Sequence, residues 1–525
     1  MFKLMESELQ NAFEAINHHG YSAMLPPAYE WKSIVANWVK VKQFLVHTDL
    51  DTYSPYEPLQ VFAPKNRANL RVVHILHPED LLIYTALVLI VKNDLEVGRI
   101  SRKAQRVFSY RIDSSVQNTL YDTRGAHDAY LSQLQKKAAK VSTKFVGIAD
   151  IADFYPRIYQ HRLENVVAST ASTPRGVDVS RVLVKKLISK LMNGNSYGIP
   201  VGPYASRVLG EAVLIDVDAH LQSKGIDFVR WVDDYNIFAR SEFLAQSTLF
   251  QLGEWLFKNH GLTLQSAKTK ILTAAQYRND ILSKPEEKLT DRDHVISLLG
   301  ETAGGSGYDD ELPDDGPDEG RIQDILDRLH GYDLHGMFVT SISDEALVDY
   351  KVVQYVLTRL PLIPGADEDL KSEILDLVID NAELLYPAAE FIARYVLSFE
   401  GFSSTEKKKI AKKLLKPLKS TRNPPPDYYA MWILHIFSTS REWNHVSDTV
   451  DIFQRSTSEV VKRYAALAIA VCGNRAEALA VKDSFPAASS LLRLAILSAS
   501  NKLGKDERRH WKLANQTHGV VEKFL

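Results

Sequence analysis

The run Phe228-Val229-Arg230-Trp231-Val232-Asp233-Asp234-Tyr235-Asn236-Ile237-Phe238 leaves the chain few choices. Apolar residues on both sides of an acidic pair predict strand, tight turn, strand. Two adjacent carboxylates at such a tip repel each other, and a divalent metal is the cheapest compensating charge. Asp309-Asp310 and Asp314-Asp315 serve as an internal control: they sit among Gly, Pro and Glu, have no strand around them, and read as solvated linker. Taken alone, a strand-flanked Asp-Asp is more often a surface hairpin than a metal site.

A second segment reverses that balance. Lys144-Phe145-Val146-Gly147-Ile148-Ala149-Asp150-Ile151-Ala152-Asp153-Phe154-Tyr155-Pro156 reads as a buried strand running into an acidic, aromatic turn. Asp150 interrupts an apolar run, where a lone carboxylate is expensive. Its place at the strand end predicts that it meets Asp233 across a sheet. Three carboxylates from two strands can hold two Mg²⁺ ions, the arrangement that supports in-line phosphoryl transfer.

Four motifs in order give the chain a resemblance to the reverse transcriptases. Asp150-Ile151-Ala152-Asp153-Phe154-Tyr155 resembles their motif A, and Gly198 to Arg207 resembles motif B. Trp231-Val232-Asp233-Asp234 resembles motif C, and Gly261 to Thr269 resembles motif D. The resemblance covers residues 60 to 275, a fingers-and-palm polymerase core. Within the family, Val107-Phe108-Ser109-Tyr110-Arg111 is most similar to bacterial abortive-infection enzymes of the AbiK-like branch.

The resemblance implies roles. Asp150, Asp233, Asp234 and Lys268 become the catalytic set. The metal site would comprise Asp150, Asp233, Asp234 and Ile151, with Asp150 and Asp233 as the main ligands. Asp234, one residue on in an extended chain, is expected to lean away and support them. Tyr155, with Phe154, lies where the family places an aromatic under the sugar, so a 2′-hydroxyl would clash. Gly202 and Ser206 belong to a glycine-proline turn that opens a helix with an apolar face, and glycine lets backbone approach a nucleotide closely. Lys268 matches the lysine that protonates departing pyrophosphate. Among the cations upstream, Arg71 and Arg111 rank first as triphosphate ligands. The chain departs from its relatives at Val201, which replaces the usual glutamine, and at Trp231, which replaces the usual tyrosine. Both changes argue against ordinary template-directed copying, and neither removes a metal ligand.

Composition excludes other classes. At 525 residues the chain has room for two or three domains, and a net charge of −2 confines any nucleic-acid path to local patches. One cysteine, Cys472, excludes an intramolecular disulfide and a multi-cysteine zinc site. There is no His-Glu-x-x-His pattern and no P-loop. Lys3 and Glu6 come too early for a signal peptide, and Leu81 to Val91 is too short to cross a bilayer. A reducing cytoplasm is the expected location, bacterial if the resemblance holds.

Residues 301 to 320 are acidic, rich in Gly and Pro and poor in apolar side chains, which reads as a linker. Beyond them the pattern is helical. Arg463-Tyr464-Ala465-Ala466-Leu467 recurs thirty residues on as Arg493-Leu494-Ala495-Ile496-Leu497, which suits stacked helix pairs. Ser403-Ser404-Thr405-Glu406 is a capping box before a lysine-rich helix, Lys407 to Lys419. That helix is either an ordinary solvated face or a wall guiding a DNA strand. The expected fold class is α+β: a helical segment at 1–55, fingers and palm at 56–275, a connector at 276–320, and an all-α HEAT-like repeat domain at 321–525. The expected activity is protein-primed, template-independent DNA synthesis in phage defence. Mg²⁺ would be the cofactor, with Mn²⁺ as substitute. The partners would be dNTPs, a single-stranded DNA product attached to protein, and further copies of the chain, with no membrane. The alternatives are a retron-type templated enzyme and a non-catalytic helical-repeat scaffold.

Overall fold

The computed structural model describes residues 1–22, 24–65, 69–122, 124–282, 334–343, 348–362, 368–399, 402–420, 422, 424–515 and 519–525. The acidic stretch 301–320 lies outside them. The described residues are mostly helical, with six strands in two antiparallel sheets. The strands are β1 (Leu59–Pro64), β2 (Leu70–Ile75), β3 (Phe145–Asp150), β4 (Phe228–Trp231), β5 (Asp234–Ala239) and β6 (Lys270–Thr273). No described helix is long and apolar enough to cross a membrane.

The chain packs into two units, and neither is one continuous segment. The first comprises Met1–Ala23, Lys42–Glu57 and Pro78–Pro285. Its sheet runs β4-β5-β3-β6, every neighbouring pair antiparallel. β3 occupies the middle because Phe145 to Ala149 is an apolar run able to be covered on both faces. Gly147 at its centre is a packing residue: a Cβ there would lie 3.2 Å from Leu249 on the Glu242–His260 helix, so glycine lets that helix settle on the sheet. Ser241 caps that helix at its start, accepting the Leu244 N–H at 3.2 Å, and Gly261 ends it in the left-handed region. The Pro78–Gly98 helix is buried along most of its length, and the Tyr204–Val213 helix packs on it.

The second unit comprises Met24–Val41, Pro58–His77 and Glu286–Leu525. Packing therefore groups the β1-β2 hairpin with the C-terminal helices rather than with the larger sheet. These helices stack in two alternating rows. One row runs Tyr350–Arg359, Ala389–Leu397, Asp427–Phe437, Glu459–Cys472, Ser490–Ala499. Val446–Arg455 and Arg475–Lys482 pack together in the other. The recurrence at Arg463 and Arg493 falls on neighbouring helices of the first row. Arg463 is only 2% exposed and meets Glu30, 0% exposed, through Nη1–Oε1 at 2.6 Å and Nη2–Oε2 at 2.8 Å. Arg493 pairs instead with Glu522 at 3.0 Å.

The lysine-rich segment forms a helix over Ser404–Leu415 that buries Ile410, Ala411, Leu414 and Leu415. Ser403 and Glu406 make the capping box read from sequence. Three of its cations are taken up within the unit: Lys407 by Glu442, Lys413 by Asp380 and Lys419 by Asp448. Cys472 is half-buried and its thiol donates to the carbonyls of Phe437 and Ser440; burial pushes it up to about 11, against the pull of Lys502 and Arg441.

Candidate metal centre

The hairpin closes on two residues. Trp231 and Asp234 are the last pair of β4 and β5, so Val232 and Asp233 form the turn. Val232 has φ of +49°, a conformation that a β-branched residue rarely adopts. Asp234 therefore begins β5, and its register partner on β3 is Asp150. The Ile151 amide donates to the Asp233 carbonyl at 3.2 Å, which ties the end of β3 to the turn. One carboxylate oxygen from each of Asp150, Asp233 and Asp234 lies within 4.8 Å of the others. Asp234 is thus not turned away, because Asp233 sits in the turn and the strand alternation starts after it. Ile151 has a buried apolar side chain, and its contribution to this geometry is the backbone tie.

The electrostatics of the cluster suit a cation. Burial, then the charges of Asp233 and Asp150, push the Asp234 carboxyl up to about 7, with Lys268 opposing them. A bound cation would favour the charged form of the same group. The donors are all carboxylate oxygen, a set that suits a hard divalent cation. Lys268 places Nζ 2.8 Å from Asp150 Oδ1. Backbone bonds put it there: Gln265 N–H to the Asp150 carbonyl at 2.7 Å, Ala152 N–H to the Thr263 carbonyl at 2.8 Å, and Lys268 N–H to the Gln265 carbonyl at 3.0 Å.

Beside the acids stands an aromatic pair on a glycine seat. Phe154 and Tyr155 meet edge to face at 5.4 Å. A Cβ at Gly210 would lie 3.2 Å from Tyr155 Cε1 and 3.3 Å from Phe154 Cε1, so only glycine in the Tyr204–Val213 helix leaves the rings where they are. Burial raises the Tyr155 phenol well above its ordinary range, Tyr110 and Asp233 adding to this while Arg207 works against it. Arg207 itself faces Tyr110, Tyr121 and Tyr204 with its guanidinium 5.1, 6.0 and 4.8 Å from their ring centres, and donates to Tyr121 Oη at 2.7 Å. The turn before this helix has φ of +87° at Gly198 and +118° at Gly202. The Ser206 hydroxyl is buried, donating to the Pro200 carbonyl at 2.5 Å and paired with Tyr84 Oη at 2.9 Å. Trp231 is 5% exposed, its ring centre 5.4 Å from that of Tyr130.

The structure gathers Asp150, Asp233, Asp234 and Lys268 at one point, with Tyr155 in electrostatic reach of Asp233. It does not bring in Arg111. Arg111 is 7% exposed, pairs with Glu96 at 2.7 Å and donates to the Ile100 carbonyl at 3.0 Å; burial and Arg99 lower it to about 10. Arg71 belongs to β2 in the second unit, where Nη1 donates to Met24 Sδ at 3.7 Å. Gly210 went unread in the sequence, since a lone glycine in a helical pattern gives no sign of what its missing side chain would meet.

No family model and no curated protein matches the chain. Among solved structures it is similar to telomerase from Candida albicans in complex with the TWJ fragment of telomeric RNA, at 13% identity over 83% of this chain and 71% of that one, with a TM-score of 0.31. It is also similar to apo telomerase from Candida tropicalis, at 11% identity over 77% of this chain and 74% of that one, with a TM-score of 0.32. Likeness this slight bears on neither the site nor its chemistry.

Proposed function

We propose that the chain is a metal-dependent nucleotidyltransferase of the reverse-transcriptase type that polymerises deoxynucleotides. The observation that carries this reading is the meeting of Asp150 and Asp234, on adjacent antiparallel strands, with Asp233 of the hairpin turn, all within 4.8 Å and with Lys268 on Asp150. The motifs that suggested the family from sequence supply every one of these residues.

Asp150, Asp233 and Asp234 would hold divalent cations. Bound there, they would supply Lewis-acid chemistry for transfer of a nucleotidyl group to a hydroxyl. Lys268 carries a proton at Nζ beside the cluster, suited to donation as the leaving group departs. Tyr155, braced by Phe154 and Gly210, presents a rigid ring edge that would exclude a ribose 2′-hydroxyl. Ser206 serves the turn rather than the nucleotide, since both of its buried contacts are within the protein.

We further propose that synthesis is untemplated and starts on the protein itself, as the AbiK-like resemblance implies, and that the biological setting is phage defence. Val201, which has no side-chain hydrogen-bonding group, supports the untemplated reading. The test is purified protein with Mg²⁺ or Mn²⁺ and labelled dNTPs, with and without added RNA or DNA. DNA made without template, and released only by protease, supports the whole proposal. Synthesis only on an added template, yielding its complement, would replace it with a templated enzyme. No incorporation under any condition would leave a scaffold.

A further inference from the structure

The Phe108-Ser109-Tyr110 segment takes no part in the chemistry above, yet it reaches the hairpin. Ser109 is 0% exposed. Its hydroxyl accepts the Val232 N–H at 2.9 Å and donates to Glu211 Oε1 at 2.6 Å. Arg230 approaches the same residue from its other side, Nη1 donating to the Val232 carbonyl at 2.6 Å. Both backbone groups of the residue at φ +49° are therefore held by buried side chains.

Those side chains are held in turn. Glu211 Oε2 accepts from Arg99 Nη2 at 2.6 Å and from Arg230 Nη2 at 3.0 Å. Arg230, itself 0% exposed, donates through Nε and Nη2 to Asp218 at 2.9 and 2.6 Å. Arg99 also fixes the Ser109 and Tyr110 carbonyls at 2.7 and 2.9 Å. Buried ion pairs are poor stabilisers compared with apolar residues of the same volume. Strained backbone persists only where its surroundings over-determine it, and such places cluster at functional sites. This network converges on one strained residue, and the next residue is a carboxylate of the metal centre.

We propose that Ser109, Glu211 and Arg230 are positioning residues. They form a buried ionic clamp that holds Val232 in its left-handed conformation and so sets where Asp233 presents its carboxylate. The inference rests on the metal-centre reading of the acidic cluster.

The test is calorimetric titration of the full chain with Mn²⁺, together with a melting temperature, for the parent, Ser109→Ala, Val232→Gly and the double variant. Ser109→Ala is expected to weaken Mn²⁺ binding by about tenfold, the scale seen when an outer partner of a metal ligand is lost. Val232→Gly separates positioning from stability. Glycine keeps both backbone groups that the clamp holds and accepts a positive φ without strain, so this variant should bind Mn²⁺ like the parent, while loss of the buried Val232 side chain lowers the melting temperature. In the Val232→Gly background Ser109→Ala should cost much less than tenfold, because the residue no longer needs holding. Parent-like Mn²⁺ affinity in Ser109→Ala overturns the clamp, as does a loss that is just as large in the Val232→Gly background. If Ser109→Ala does not fold, Ser109→Cys, close in size and weak in hydrogen bonding, is compared in the same two backgrounds. A parent that binds no Mn²⁺ overturns the metal-centre reading and the clamp with it.

Discussion

At the scale of single residues, chemistry depends on a few oxygens held close together against their mutual repulsion. Asp150→Asn and Asp233→Asn keep shape and remove a metal-binding charge, so each is expected to abolish metal-dependent dNTP incorporation while far-ultraviolet circular dichroism stays native. Asp234→Asn should be as severe, because Asp234 stands across the register from Asp150. Full incorporation by any of the three would remove that residue from the site. The gate proposed at Tyr155 makes a second prediction. Tyr155→Ala should admit ribonucleotides, and Gly210→Ala should do so in part by displacing the ring from 3.2 Å. The added methyl gains about 1 kcal/mol of helix propensity and costs about 1–3 kcal/mol of overpacking. A ribonucleotide-to-deoxynucleotide incorporation ratio that stays at the parent value in both variants would reduce Tyr155 to core packing.

The acids were legible in the sequence for a local reason. Asp150 breaks an apolar run at its end and Asp233-Asp234 sits between two apolar runs, and each contradiction shows within a dozen residues. Their supports were not legible. Ser109 meets Val232 across 123 positions and Glu211 across 102, and no periodicity marks such a pairing. Arg111 misled for the same reason. A basic residue in a basic stretch looks like a phosphate ligand until the carboxylate that claims it, Glu96, is seen.

At the scale of elements, helices were read well because their pattern repeats every turn. Ser403 caps Ser404–Leu415 as the sequence predicts, and Ser403→Ala should cost about 1 kcal/mol, measured as a shift in the urea midpoint. The side of the chain that each element joins was harder to see. β1 and β2 precede the larger sheet in sequence and pack with helices hundreds of residues later. The salt bridge between Arg463 and Glu30 is one such long link, spanning 433 positions. Arg463→Met leaves the Glu30 carboxylate buried without its partner and should cost about 3–5 kcal/mol. Adding Glu30→Leu should recover much of that loss, since two apolar residues often serve a core as well as an ion pair does. Failure of the double variant to recover any stability would mean that the pair specifies the packing rather than merely filling it.

Across the whole molecule, acid should weaken the fold through buried histidines, two of them in the second unit. His77 is 1% exposed, and burial, reinforced by Arg463, lowers it to about 3. Burial, with Arg394 and Lys32, lowers His435 to about 4. Both stay neutral when folded and charge on unfolding below pH 6.5. The unfolded chain then binds more protons, so stability is full above pH 6.5 and falls as pH drops towards 4 and then 3. His77 alone should contribute about 1.4 kcal/mol per pH unit to that slope. Melting temperatures measured from pH 7 to pH 4 should show it, and His77→Phe should flatten the curve. An unchanged slope in the variant would show that His77 is not the titrating group.

The solitary thiol has a practical consequence. Cys472 is half-buried, hydrogen-bonded to two carbonyls and kept protonated far above neutral pH, so alkylating reagents should pass it by. The wild-type chain is in effect already a cysteine-free background for labelling. A cysteine introduced at Val97, which is 84% exposed, would then be the one site taking a nitroxide, and a Mn²⁺ ion bound by the three aspartates would broaden its spectrum according to their separation.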